Sequence, residues 1–227
     1  MSQPDNIEIP LFPLPNVVLF PSVMLPLHIF EERYKTMINE CVDEEAPFGV
    51  VWRNGDGENT TTIQQAGVLA RVAQVERLDE GRMNIYAEGE TRFRIVRFSG
   101  QEPCWRAEVE RFDDRSEPEP RLSSLRNALG SLYQEAYRKG LALTGERPGK
   151  LDLPDSPSDL SFMVAYVLDM EFEEKQRLLE MTSTRERLTV LIEYLRHANE
   201  RLKQRIHQKR IAETARGNGD LGRPNGI

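Results

Sequence analysis

Cysteine is nearly missing from this chain. Cys41 and Cys104 are the only two, and neither forms a CxxC pair or lies beside a histidine pair. A disulfide framework is excluded and no metal site is expected; so little cysteine fits a reducing, cytoplasmic compartment. Histidine is scarce as well: His28, His197 and His207 are far apart in sequence. None has a Ser or Cys placed as a nucleophilic partner. There is no GxxxxGK[ST] loop and no GxSxG elbow, which excludes those two routes to nucleotide and acyl hydrolysis. No cofactor is expected. No apolar run reaches the length of a membrane helix, and MSQPDNIEIP lacks the basic and apolar regions of a signal peptide. Positive charge is in deficit too, with 30 Lys and Arg against 37 Asp and Glu and a net charge of −7. That balance argues against a nucleic-acid partner, which needs clustered cations.

What is present is a proline-threaded apolar stretch, IPLFPLPNVVLFPSVMLPLHIFEERY at 9–34. Proline fixes φ and removes a ladder donor, so this run is expected to be short extended pieces, Val17–Phe20 and Leu25–Leu27, separated by a bend. The apolar spacing of Tyr34, Met37, Ile38 and Cys41 then predicts a helix over 31–42. FGVVW (48–52) reads as a buried strand and RNGDGENT (53–60) as a turn. GVLARVAQVERL, turned by Asp79-Glu80-Gly81-Arg82 into MNIYA, predicts a hairpin. Gly89 is expected to mark a bulge or a close backbone approach. TRFRIVRF (91–98) reads as a strand whose Arg92, Arg94 and Arg97 would protect a sheet edge. WRAEVERF (105–112) is a further strand.

Composition changes at DDRSEPEP (113–120), an acidic, proline-containing boundary, and no strand signal follows it. Helices are predicted over 122–139, stopped by Gly140; from Pro157 with Ser156 as N-cap; over 172–181; and from Ser183 for about 25 residues on an apolar stripe of Leu188, Leu191, Ile192, Leu195, Leu202 and Ile206. This order, strands and then helices, is an α+β arrangement. It divides into a β domain (9–113), a helical bundle (120–210) and flexible termini (1–8 and 211–227).

Three blocks carry a family resemblance: LFPL, VVLFP and LPLHIFE with Arg33-Tyr34; GVLARV at 67–72; and GRMNI with GETRFRI at 81–95. In this order they resemble the substrate-binding domain at the front of ATP-dependent Lon proteases, which also occurs in stand-alone proteins. LDLPDSP, FEEKQRLLE and TSTRERLTVLIEYL resemble the helices that follow it, so the likeness covers about residues 9–206. Ser22 stands where the family commonly has glycine and Glu32 where many members have proline; the Ser22 turn is therefore expected to avoid a glycine-only conformation. The resemblance implies a PUA-like small β-barrel followed by a helical bundle with a long final helix. No residue matches a Walker lysine or the serine–lysine protease dyad, so recognition without cleavage is expected.

The function expected on this basis is non-catalytic capture of unfolded or degron-bearing polypeptides, beside a Lon-type protease or alone. An apolar groove with polar anchors suits that task. Leu25, His28, Phe30 and Tyr34 around the apolar bend, with Arg92 and Phe93, are the candidate contacts. The alternative is an adaptor that pairs, as a homo-oligomer or with another chain, through the near-heptad stripe of the last helix.

Overall fold

The computed structural model describes residues 6–219 apart from 56, 58 and 148. These form two compact units: one runs through Glu117 and adds Ser161–Thr184, and the other combines Pro118–Leu160 with the chain from Arg185 onward.

The first unit is built on six strands: β1 (Ile7–Leu14), β2 (Met24–Ile29), β3 (Phe48–Arg53), β4 (Ile63–Arg77), β5 (Met83–Gly100) and β6 (Arg106–Arg111), with helix α1 (Glu32–Asp43) between β2 and β3. Their order is β2-β5-β4-β3-β1-β6, and β5 also pairs with β6. That extra pairing closes β5, β4, β3, β1 and β6 into a small barrel and leaves β2 as an edge strand on the far half of the β4–β5 hairpin. Inside the barrel lie Ile9, Leu11, Val51, Leu69, Phe93, Ile95, Trp105 and Val109. Outside it, the Phe12 ring meets Tyr34 of α1 at 4.2 Å. Both faces of β1 are thus covered, so it shows no polar alternation.

The first strand is not the one the prolines suggested. Val17–Phe20 is a buried connection, and Ile7–Leu14 is the strand despite Pro10 and Pro13. Residues 7–10 pair with β6, and residues 11–14 pair with β3 on the other side. Donors alternate sides along a strand, and Leu11 N donates to Trp105 O on the β6 side. The missing donor of each proline therefore faces the side where it has no ladder. TRFRIVRF is also not an edge, since β5 lies between β4 and β6.

Gly89 meets both expectations. The register slips between Val68 and Ala70 opposite it, and a Cβ there would come 2.4 Å from Phe20 O. Ser22, whose N–H bonds Gly89 O at 2.7 Å, has φ +59°. The turn enters the left-handed region, which is not confined to glycine but costs serine about 1–2 kcal/mol.

The segment 161–184, expected in the helical bundle, groups with the sheet unit, and side chains tie it to the strands. Helix α4 (Phe172–Glu180) places Gln176 Nε2 3.1 Å from Ala66 O and the Phe172 ring 6.0 Å from that of Trp52.

In the second unit, α2 (Glu119–Thr144) runs through Gly140 and ends at Gly145, which has φ +82°. The first turn of α3 (Pro157–Val167) is capped by Ser156 Oγ, which accepts from Asp159 N at 3.2 Å. Helix α5 spans Thr184–Gly219, longer than expected, because the Lys-, Arg-, Gln- and Ala-rich sequence after Ile206 holds helix formers and no proline. Asn199 Nδ2 donates to Leu132 O at 3.0 Å, and the fully buried Arg187 donates to Ser158 Oγ at 3.1 Å. Of the expected flexible termini, 1–5 and 220–227 lie outside the described residues, while Ile7 and Glu8 belong to β1 and 211–219 to α5.

Candidate functional site

The six sequence candidates do not converge. Leu25, Tyr34, Arg92 and Phe93 are buried, at 3, 4, 3 and 0% exposure. Phe93 fills the barrel. Tyr34 is sandwiched between Phe12, at 4.2 Å, and the Arg33 guanidinium, at 4.5 Å. Arg92 uses its donors inside the protein: Nη1 donates to Leu179 O at 2.9 Å and Met181 O at 2.6 Å, and Nη2 to Asp114 at 2.6 Å. None of these four can meet a ligand without opening the core. His28 and Phe30 remain at the surface, with ring centroids 6.0 Å apart.

They belong to a face that the strands assemble. Along β2, Leu25 and Ile29 point inward, and Met24, Pro26 and His28 point outward. Register places Met24 opposite Glu88, Pro26 opposite Tyr86 and His28 opposite Asn84 on β5. On β4, Gln74 and Glu76 follow beside Tyr86 and Asn84. Cross-strand partners share a face, so Met24, Pro26 and Tyr86 form an apolar stripe that His28 continues. Met24 is 46% exposed, Tyr86 45% and Phe30, just beyond β2, 60%.

Polar groups brace this face. Asn84 Nδ2 donates to Glu76 Oε2 at 2.9 Å, which makes Asn84 Oδ1 the acceptor for His28 Nδ1–H at 2.8 Å. The chain of bonds crosses three strands. Pro26 has no N–H to offer on the edge strand, which disfavours strand addition there. The face itself is the usable surface: apolar and aromatic side chains bordered by the carboxylates of Glu76 and Glu88. Period-two alternation in MLPLHI could have shown Met24 and Pro26 as outward; Tyr86 needed the β2–β5 register. Among the described residues, no group of three or more His, Cys, Asp or Glu is placed to hold a metal ion, and no helix is long and apolar enough to cross a membrane.

The barrel, its edge strand and the helices that follow have the fold of Lon N-terminal domains. A Lon N-terminal domain protein from Xanthomonas campestris aligns with a TM-score of 0.61 at 22% identity, covering 83% of this chain and 98% of its own. The N-terminal domain of a Mycobacterium avium complex Lon protease aligns with a TM-score of 0.62 at 20% identity over the same shares. The chain belongs to the ATP-dependent protease La (LON) substrate-binding domain family, whose model matches residues 8–197. Among curated relatives, a Lon protease of Desulfosudis oleivorans is 26% identical over 199 residues, 86% of this chain and 24% of that protein. Lon protease 2 of Myxococcus xanthus is 28% identical over 202 residues, again 86% and 24%. The chain spans about a quarter of the length of these relatives.

Proposed function

We propose that this chain binds exposed polypeptide segments without cleaving them, through the outer face of β2 and β5. The carrying observation is the stripe of Met24, Pro26 and Tyr86, with Phe30 beyond it, exposed on one sheet face. Apolar side chains gathered at a surface mark binding sites more often than scattered ones do. The carboxylates of Glu76 and Glu88 favour segments in which apolar or aromatic residues are flanked by lysine or arginine. The family's description as a substrate-binding domain supports the same reading, and capture on behalf of a Lon-type protease would follow from it.

Pairing through the last helix has less support. Leu188, Leu191, Ile192 and Leu195 of the stripe are buried by this chain itself, and Leu202 and Ile206 are half-buried.

The test is fluorescence anisotropy with reduced, carboxymethylated α-lactalbumin as the unfolded probe. The double variant M24S/Y86S should weaken binding about tenfold or more, since each buried aromatic or methionine contact contributes on the order of 1 kcal/mol or more. Equal binding by wild type and variant would overturn the assignment of the face.

A further inference from the structure

The outer side of β2 carries one polar side chain beside its apolar ones. MLPLHI alternates, so Met24, Pro26 and His28 share the outer face, while Leu25 and Ile29 are buried. The His28 ring is oriented by its neighbours. Asn84 Nδ2 donates to Glu76 Oε2 at 2.9 Å, and Asn84 Oδ1 lies 2.8 Å from His28 Nδ1. A carboxylate only accepts, so the amide turns its NH₂ to Glu76 and its oxygen to His28. That oxygen also only accepts, so Nδ1 carries the ring hydrogen. In a neutral imidazole the other nitrogen, Nε2, is then a bare acceptor. His28 is exposed, and among the described residues no hydrogen bond reaches its Nε2.

The direction of this acceptor is set before any ligand arrives. The strand that carries it is paired with β5 from Met24 to Ile29. The Phe30 ring lies against the imidazole at 6.0 Å with the planes 25° apart. A polar group on a rigid strand, oriented by a second residue, is selective in what it binds. Its neighbours across the strands on this face are Asn84, Tyr86 and Glu88 of β5 and Gln74 and Glu76 of β4. They bring two carboxylates, one phenol and no cation.

A donor that is also a cation satisfies both the bare nitrogen and the carboxylates. A carboxylate in the bound segment would set lone pair against lone pair. We propose that His28 Nε2 is a specificity-determining acceptor of the β2–β5 face, taking an N–H of a lysine or arginine side chain in the bound segment. This rests on the binding face proposed above and names the group that reads the segment; Asn84 is the positioning residue behind it. Histidine changes charge between pH 5 and 8. Protonation gives Nε2 a hydrogen and a positive charge, which turns an acceptor for cations into a donor that repels them. Basic segments therefore bind best in the alkaline part of that range, and acidic segments run the other way.

The test uses the full chain and two rhodamine-labelled peptides, a leucine- and phenylalanine-rich segment flanked by lysines and the same segment flanked by glutamates. By anisotropy, the lysine peptide should weaken about fivefold or more between about pH 8 and about pH 5, the equivalent of one lost hydrogen bond. His28→Gln keeps an acceptor and cannot titrate. It should retain binding and flatten the profile, which separates the imidazole from the carboxylates of Glu76 and Glu88. His28→Leu should weaken the lysine peptide about fivefold or more at the alkaline end. A long-range ¹H–¹⁵N spectrum of the free protein should show the Nδ1–H tautomer there. An Nε2–H tautomer, equal binding of the two peptides, or the same pH profile in His28→Gln overturns the proposal. If M24S/Y86S still weakens the lysine peptide in that case, the binding face stands and only the role of His28 falls. A lysine peptide that fails to bind at any pH overturns both.

Discussion

Arg92 decides much at the scale of single residues. It is 3% exposed and bonds Leu179 O, Met181 O and Asp114, with Phe112 and Phe162 against its guanidinium at 4.6 and 5.1 Å. Arg92→Met would leave a carboxylate and two carbonyls short of donors. The expected loss is about 3–5 kcal/mol, read by urea unfolding; a loss under 1 kcal/mol, the value of a surface pair, would contradict this role. Residue type suggested a ligand contact because arginine is seldom buried, and its partners, 87 and 89 residues away, leave no local signal. Ser22 offers a smaller check. With φ +59°, Ser22→Gly should be neutral or stabilising by up to about 1 kcal/mol, since relief of strain is partly offset by unfolded-state entropy. Cys41 gives a pH test. Burial, with Cys104 nearby, pushes its thiol up to about 11. The unfolded thiol ionises near its ordinary value of about 8.5, so the thiol's contribution to stability is intact below that pH and lost as pH rises through about 11. Cys41→Ala should flatten this alkaline decline in urea midpoint; an unchanged decline would remove Cys41 as its cause.

Elements were legible in proportion to how local their causes are. The hairpin turn at 79–82 reads directly, and Leu78 N does bond Arg82 O at 2.8 Å. The helix predicted over 31–42 lies at Glu32–Asp43 because its apolar spacing is that of an amphipathic helix. Prolines misled at β1, since their effect depends on which side of the strand carries the ladder at that residue. Gly140 misled in α2: a helix-stopping signal was carried through by the good helix formers around it. At Gly140 a Cβ would meet nothing within 4 Å. Gly140→Ala should therefore stabilise the protein by about 0.5–1 kcal/mol in thermal or urea unfolding. Destabilisation would mean that this turn of α2 is not helical.

For the whole molecule, the family and the order of strands before helices could be read from the sequence, whereas the face proposed for binding could not. The proline and LPLHIFE pattern carries the first. The second depends on barrel closure, which buries Phe93, on the packing of α1, which buries Tyr34, and on the β2–β5 register, which leaves Met24, Phe30 and Tyr86 exposed. Ser161–Thr184 groups with the sheet unit and not with the expected bundle, through contacts such as Gln176 to Ala66 that no sequence period announces. The most direct measurement of the central claim is a ¹H–¹⁵N map of the full chain titrated with an unfolded polypeptide. The largest shifts should cluster at Met24, His28, Phe30, Asn84 and Tyr86, while the buried Leu25, Arg92 and Phe93 move little. Shifts confined to α5, or scattered without a cluster on β2 and β5, would contradict it.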